Sequence, residues 1–280
     1  MSRYRIVHTT GFRYGGQAVA SYNEARMLPT RDNSQLVFST KLDIQPHGSS
    51  HEYFDYFKTR AVMFEVLEPH SELTITSTSV VELRPTIGAE PGLAWGDLEP
   101  EIRNSLELTD AVTQTRRTAP PADLVRFAKR VAAKSTPHET AMQVCRKVFE
   151  DMTYRHGVTG VNSIASEAWS AKIGVCQDYA HITLGALRAV GIPARYVSGY
   201  LHPSKDPKVG EKVVGESHAW VEWWAGSWFA FDPTNDVYAA DRHVVVGRAR
   251  DYDDLAPLRG VFAGAVDSEL FVSVEITKEA

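Results

Sequence analysis

Residues 174–181 of this 280-residue chain read GVCQDYAH. The glycine-valine pair permits a tight turn, and the apolar spacing that follows predicts a helix over residues 176–190, ended at residues 191–193. The turn would bring the thiol of Cys176 to the start of a helix, where unpaired backbone N–H groups and the helix dipole favour a thiolate. Taken alone, Cys176 could equally be a buried helix-capping cysteine.

Two later segments carry a histidine and an aspartate. Residues 217–220 read SHAW at the start of a strand pattern, and residues 231–234 read FDPT at the end of the next one. In isolation, His218 is best interpreted as an ordinary strand histidine and Asp232 as a turn carboxylate. A hairpin with a three-residue loop at residues 224–226 would set these two side chains opposite each other.

Together the three segments predict a cysteine-nucleophile site. Such a site needs a thiol, a base that ionises it and a carboxylate that orients the base. The sequence offers Cys176, His218 and Asp232 for these parts. The neighbouring His181 is rotated off the face of the helix that carries Cys176, so we expect it to pack or hydrogen-bond. Other possible orienters, each less well placed, are Asp178, Asn235 and Asp236.

The sequence gives less support for a role of other histidines in the site or for a metal site. His202 and His243 fall in or near loop patterns, and we expect both at the surface. A metal site formed by Cys176, His218 and Asp232 is an alternative. The chain has no CxxC or HExxH spacing, however, so we expect no metal and no other cofactor.

Outward from these segments the chain divides into a β-rich first part and a mixed second part. Residues 1–85 show period-two runs rich in β-branched and aromatic residues, which predict an antiparallel β-sandwich-like domain. Residues 86–120 are punctuated by proline and glycine and are expected to be a linker with irregular structure. Residues 121–280 are expected to form a catalytic domain with helices packed on an antiparallel sheet. The fold class is therefore α+β.

The second part begins with two amphipathic helices. Residues 122–133 repeat apolar side chains at helical spacing. In the next helix Thr136 is suited to cap, Pro137 to the first helical position and Glu139 to complete a capping box. Cys145 lies on the apolar stripe of that helix and is expected to be buried. At the C-terminus, residues 270–276 predict a closing strand.

Composition, net charge and the lengths of the apolar stretches indicate a globular protein and give no sign of a nucleic-acid-binding or membrane-spanning one. The chain is 43% hydrophobic and 23% charged, a balance typical of globular proteins. Its net charge of −5 gives no reason to expect nucleic acid as a partner. No apolar stretch is long enough for a membrane span and the N-terminus lacks a signal-peptide run, so we expect no membrane partner and a cytoplasmic location. Two cysteines do not make a disulfide framework, and the oligomeric state is left open.

Four segments carry a resemblance to the transglutaminase-like superfamily, in particular its bacterial branch: residues 174–181, 187–200, 217–222 and 231–235. The first part of the chain, from residue 4 to about residue 83, also resembles the N-terminal region that accompanies this domain in bacterial members. The resemblance implies a papain-like α+β core in which Cys176 is the nucleophile, His218 the general base and acid, and Asp232 the orienter. Calcium dependence is not carried over, because the sequence has no calcium-loop motif.

The expected chemistry is acyl transfer from a peptide or protein amide substrate. We favour a cysteine protease or amidase, because hydrolysis needs no second substrate site. The backbone N–H of Cys176 is expected to contribute to an oxyanion hole, with Gln177 or Trp169 as candidates for the second donor. The alternatives are a protein-glutamine transglutaminase, a non-catalytic peptide-binding module on the same fold and a zinc-dependent hydrolase.

Overall fold

The computed structural model describes residues 2–84, 92–157 and 163–280. Its helices are α1 (Trp95–Arg103), α2 (Leu106–Val112), α3 (Ala122–Ala132), α4 (Pro137–Asp151), α5 (Ala165–Ala171), α6 (Cys176–Arg188) and α7 (Tyr252–Leu255). Its strands are β1 (Ser2–Ala18), β2 (Ala20–Ala25), β3 (Gln35–Gln45), β4 (Ser50–Phe54), β5 (Arg60–Val66), β6 (His70–Leu83), β7 (Thr153–Tyr154), β8 (Ile173–Gly174), β9 (Ala194–Leu201), β10 (Lys212–Trp224), β11 (Trp228–Asp232), β12 (Val237–Tyr238), β13 (His243–Ala249), β14 (Leu258–Ala263) and β15 (Ser268–Lys278). Among the described residues, no helix is both long and apolar enough to cross a membrane.

Two antiparallel sheets organise the chain. The larger has nine strands in the order β12-β11-β10-β15-β1-β6-β3, with β9 pairing both β10 and β13. The smaller has four strands in the order β14-β2-β5-β4. A short parallel pair, β7 and β8, stands apart. Together with the seven helices, these sheets confirm the predicted α+β class.

The first part of the chain is a sandwich. Strands β1 and β6 pair antiparallel along most of their length, and their apolar side chains face those of β2 and β5. The resulting core contains Tyr14, Leu73, Ile75, Phe64 and Val66. Burial of these side chains on the inner faces of two sheets is what the period-two pattern of the sequence predicts.

The C-terminal residues join these same sheets. The predicted closing strand is confirmed as part of β15, which pairs with β1 from Tyr4↔Lys278 to Tyr14↔Ser268. Strand β14 pairs with β2. The division into residues 1–85 and 121–280 stays a prediction, and the strand pairing shows that both ends of the chain contribute to the first part.

The linker region contains more regular structure than expected. From residue 92 onward it forms α1 and α2, while residues 86–91 of the predicted linker lie outside the described residues. Pro100 lies within α1 without ending it. Ser105 then caps α2, because its side chain accepts a hydrogen bond from the backbone N–H of Leu108. This local cap allows a second helix to start within a sequence that is rich in turn residues.

The two helices predicted after the linker are confirmed as α3 and α4. At the start of α4 the Thr136 hydroxyl accepts from the Glu139 N–H at 3.2 Å, and the Thr136 N–H donates to the Glu139 carboxylate at 2.9 Å. Pro137 occupies the first turn. Cys145 is fully buried, as its position on the apolar stripe predicts.

Helix α6 lies at the centre of the second part. Every residue from Gln177 to Arg188 is buried, against helices α3, α4 and α5 on one side and the larger sheet on the other. Its C-terminal Arg188 is itself buried and donates to the carbonyl oxygens of Ala111, Ala194 and Arg250. These contacts fix the helix, so the position of its first residue, Cys176, is set by the surrounding core.

Candidate active site

Cys176 is the first residue of α6, and the residues before it shape the helix start. Val175 is extended and is the N-cap residue. Its N–H donates to the Asp178 carboxylate at 2.9 Å, which pairs one of the N–H groups that a helix start leaves open. The Cys176 side chain remains partly exposed while the residues that follow it are buried. A thiol is thereby presented to solvent at the positive end of a buried helix.

Gly174 leaves room for the Asp178 cap. A Cβ atom built on Gly174 would lie 2.7 Å from the Asp178 Cβ and 2.8 Å from its Oδ2. We therefore expect Gly174→Ala to lower the free energy of unfolding by about 1–3 kcal/mol and to slow alkylation of Cys176, because the carboxylate must move. Urea denaturation measures the first effect. Gly96→Ala, in helix α1 with open space around the added Cβ, is the matched control, and equal losses in both variants would contradict the role of this cap.

His218 and Asp232 meet in the interior. The His218 Nε2 lies 2.8 Å from Asp232 Oδ2, and both side chains are buried. The turn after β11 holds the other carboxylate oxygen, Oδ1, which accepts from the backbone N–H groups of Thr234 at 2.9 Å and Asn235 at 3.3 Å. The Asn235 side-chain amide donates to Oδ2 at 2.7 Å. The carboxylate is thus fixed by its own turn as well as by the histidine.

The predicted register of the β10–β11 hairpin is wrong. Trp224 lies opposite Trp228, so the loop spans residues 225–227 instead of 224–226. This displacement of the loop by one residue shifts the partner of each strand residue by two. Gly226 sits in its middle with φ of +90°, a conformation that favours glycine. His218 is therefore a diagonal neighbour of Asp232 across the hairpin, still within the reach of a long side chain.

Each member of this pair shifts the pKa of the other so that both are charged. Burial alone would lower the pKa of His218, but the charge and hydrogen bond of Asp232, with a further contribution from Cys176, raise it to about 10. Burial alone would raise the pKa of Asp232, but the charge and hydrogen bonding of His218 and His243 hold this pKa far below its usual range. An imidazolium beside a carboxylate is the resulting state at neutral pH. Because Nε2 binds Asp232, Nδ1 is the ring nitrogen left for the thiol.

The prediction that His202 and His243 lie at the surface is wrong, because both are buried. His243 belongs to the site: its Nε2 lies 3.2 Å from Asp232 Oδ2. His202 lies elsewhere and accepts a hydrogen bond from the Ser204 N–H. The three valines after His243 form a continuous apolar run, a signal for a buried strand that could have placed His243 inside.

Two predicted secondary donors have different outcomes. Trp169 is buried in α5, and its indole N–H donates to the Asp123 carboxylate at 2.9 Å and 3.1 Å. The expectation that it serves an oxyanion is not supported, because tertiary packing turns the indole toward the first turn of α3. Gln177 follows Cys176 directly in α6 and is buried. Its role as a donor stays a prediction.

The residues considered as alternative bases or orienters make other contacts in the structure. His181 is fully buried and accepts a hydrogen bond from the Tyr252 N–H at 3.2 Å, and burial lowers its pKa to about 3, so the expectation of a packing histidine is confirmed. Of the alternative orienters, Asp178 caps α6 and Asn235 donates to Asp232. The third, Asp236, lies 3.9 Å from Arg146. Asp232 is the carboxylate that reaches His218.

A cavity of about 1080 Å³ lies away from this site. It opens between β3, the β4–β5 connection, α2 and β13, and its lining includes Phe38, Tyr56, Arg195 and Arg248. Neither the thiol of Cys176 nor the His218–Asp232 pair lines it. The candidate active site is therefore defined by the geometry of its side chains and lies outside this cavity.

The chain was then compared with known proteins. Residues 125–233 match the profile of the transglutaminase-like superfamily, and residues 4–82 match that of the bacterial transglutaminase-like N-terminal region. An uncharacterized protein of Mycobacterium leprae is 41% identical over 281 residues, covering 100% of both chains. A protein-glutamine gamma-glutamyltransferase of Pseudomonas aeruginosa is 35% identical over 89 residues, which cover 30% of this chain and 13% of that enzyme.

A solved structure shares the fold. It comes from Cytophaga hutchinsonii and is described only as a candidate cysteine protease. It superposes with a TM-score of 0.78 at 18% identity, covering 100% of this chain and 91% of that one. With both profile matches and this shared fold, the chain belongs to the transglutaminase-like superfamily.

Proposed function

We propose that this protein is a cysteine hydrolase that cleaves amide or peptide bonds. Cys176 is its nucleophile, His218 its general base and acid, and Asp232 the residue that orients His218. The observation that carries the proposal is the convergence of three elements: a thiol at the start of α6, beside an imidazole on β10 that a carboxylate on β11 holds at 2.8 Å.

The geometry supports a two-step mechanism. The Cys176 thiolate attacks the carbonyl carbon of the substrate, and we assign the stabilisation of the oxyanion to the backbone N–H of Cys176. The His218 imidazolium gives its proton to the leaving amine, which departs and leaves an acyl-thioester. His218 then takes a proton from water as the water attacks the thioester, the C–S bond breaks, and the carboxylic acid product leaves behind the Cys176 thiolate and the His218 imidazolium with which the cycle began. The raised pKa of His218 supports the first step, because it keeps a proton available for the amine.

The fate of the thioester separates hydrolysis from amine transfer. Cys176 is partly exposed, and Glu216 and Ser217 beside His218 are exposed, so water has access to this side of the site. That access supports hydrolysis. The similarity to a protein-glutamine gamma-glutamyltransferase over 89 residues favours transamidation as the second candidate.

One assay distinguishes these activities. The protein is incubated with a mixture of unfolded polypeptides and a fluorescent primary amine, and new N-termini, new carboxylates from glutamine and incorporated amine are measured by mass spectrometry. We expect new N-termini or carboxylates, lost in Cys176→Ala and kept in Cys145→Ala, the matched change at the other cysteine. Incorporated amine without hydrolysis would favour the transglutaminase. No product, with peptide binding unchanged in Cys176→Ala, would favour a binding module.

A further inference from the structure

We propose that His243 is a positioning residue of the same site, donating its Nε2–H to Asp232 Oδ2 and holding that carboxylate ionised and oriented toward His218. The inference rests on the proposed function, because it assigns His243 a part in the chemistry of Cys176. No sequence motif pointed to this residue, and its place follows from how the strands are arranged.

The sheet brings His243 to Asp232 from the far side of β9. Strand β9 lies between β10 and β13, with His218 opposite Gly199 on one edge and His243 opposite Leu201 on the other. The two imidazole rings lie 6.1 Å apart, and both reach the same oxygen of Asp232, at 2.8 Å and 3.2 Å. With the Asn235 amide, this oxygen has three hydrogen-bond partners.

The hydrogen bonds of His243 fix which ring nitrogen carries the proton. The backbone N–H of Ala240 donates to His243 Nδ1 at 3.3 Å. A backbone N–H can only donate, so Nδ1 is the acceptor and the hydrogen of the neutral ring lies on Nε2. The group that faces Asp232 is therefore an N–H donor. A donor of this kind stabilises the ionised carboxylate over the protonated one.

The surroundings keep His243 neutral. Burial lowers its pKa and outweighs the charge and hydrogen bond of Asp232, and the positive charges of His218 on β10 and Arg242 beside it lower the pKa further. Two further titratable groups are near: Cys145 from α4 interacts electrostatically with both Asp232 and Asp236 of the following turn. His218 carries the positive charge of the cluster, and His243 supplies a neutral dipole.

A hydrogen bond describes this cluster better than a bound cation does. Ligand atoms of His218, Asp232 and His243 lie within 4.8 Å of one another. A histidine that binds a metal through Nε2 carries its hydrogen on Nδ1 and usually donates it to an acceptor. Here the His243 Nδ1 faces the backbone N–H of Ala240. If Nε2 bound a metal, the hydrogen on Nδ1 would point at this N–H, and two donors would face each other without an acceptor.

Trp220 packs against both histidines. Its ring lies edge-on to His243 at 5.2 Å and stacks with His218 at 6.2 Å, and it is almost fully buried. This packing leaves the His243 ring little freedom, so its N–H is directed at the carboxylate in advance. Preorganised donors of this kind lose little order when charge shifts during a reaction.

The test compares a substitution that removes every polar atom of the side chain with one that keeps a donor. His243→Leu leaves no group to donate to Asp232, whereas the side-chain amide introduced by His243→Gln can still donate to it. The alkylation rate of Cys176 by iodoacetamide is measured against pH in the full-length chain. For His243→Leu we expect the acid limb of the profile to move to higher pH by about one unit, because a carboxylate with one donor fewer holds the His218 imidazolium less firmly, and the imidazolium then stabilises the Cys176 thiolate less. For His243→Gln we expect the limb to return toward that of the wild type.

Each outcome has a distinct meaning. Coincident acid limbs in His243→Leu and the wild type would overturn the positioning role while leaving the proposed function intact. A wild-type Cys176 that reacts like an ordinary thiol would overturn the proposed function, and this inference with it, before any variant is made. If His243→Leu does not fold, nitrogen NMR of the wild-type rings decides: protonated Nε2 supports the assignment, and protonated Nδ1 overturns it. Stoichiometric zinc in the purified wild type, lost in His243→Gln, would also overturn it.

Discussion

Replacing Cys176 with serine is expected to lower the rate of amide hydrolysis by at least about 10⁴-fold, as loss of a nucleophile does in comparable sites. A hydroxyl does not give up its proton to His218 as a thiol does, so the ionised nucleophile is lost. The exchange changes one atom at a partly exposed position, and stability should change by no more than about 0.5 kcal/mol. Turnover and thermal unfolding measured on the same preparations separate these two effects.

Cys145 provides the internal control for that experiment. It is fully buried in α4, and burial, with the charges of Asp236 and Asp232, raises the pKa of its thiol well above the usual range. We expect Cys145→Ser to keep turnover near the wild-type value and to lose about 1–3 kcal/mol of stability, since a hydroxyl replaces an apolar group in the core. Turnover that survives in Cys176→Ser and falls in Cys145→Ser would contradict the assignment of the nucleophile.

Replacing Asp232 with asparagine is expected to lower turnover by about 10⁴-fold near neutral pH, the size seen when the carboxylate of a triad is replaced by an amide. The charge that raises the pKa of His218 disappears. The new amide also carries donor hydrogens toward a position that now receives donors from His218, His243 and Asn235. A loss below about tenfold, with His218→Ala inactive, would show that another group orients the histidine.

The same substitution should change how stability depends on pH. The depressed pKa of Asp232 stabilises the folded protein above about pH 4 and loses this effect as the pH falls. The raised pKa of His218 stabilises it below about pH 6.5 and loses this effect as the pH rises toward about 10. The difference in unfolding free energy between wild type and Asp232→Asn should therefore be largest between about pH 4 and 6.5. Urea denaturation at pH values across this range measures it, and a difference independent of pH would contradict the ion pair.

Features encoded by neighbouring residues were predicted well from the sequence. The capping box of Thr136 and Glu139 depends on residues three positions apart, so the start of α4 could be read from the chain. The same holds for α6, where a glycine turn, a cysteine and an apolar stripe occur in succession. Strand patterns likewise placed His218 and Asp232 on adjacent segments, although the loop position of Gly226 shifted the register by two residues.

Features that depend on distant pairing were missed. The place of His243 follows from the pairing of β13 with β9, and no local pattern names that partner. The direction of the Trp169 indole depends on Asp123 in another helix. The return of β15 to β1 at the opposite end of the chain is also non-local. In each case the sequence indicated a residue or strand type, and tertiary packing chose its partner.

The central claim is that Cys176 and His218 form a thiolate–imidazolium pair. The most direct test is the alkylation rate of Cys176 by iodoacetamide as a function of pH, followed by peptide mass spectrometry with Cys145 as the internal reference and His218→Ala alongside. We predict fast modification of Cys176 down to about pH 6, slow modification of Cys145 at every pH, and loss of the fast reaction in His218→Ala. A Cys176 rate that rises only around about pH 8.5, as for an ordinary thiol, and is the same in His218→Ala would contradict it.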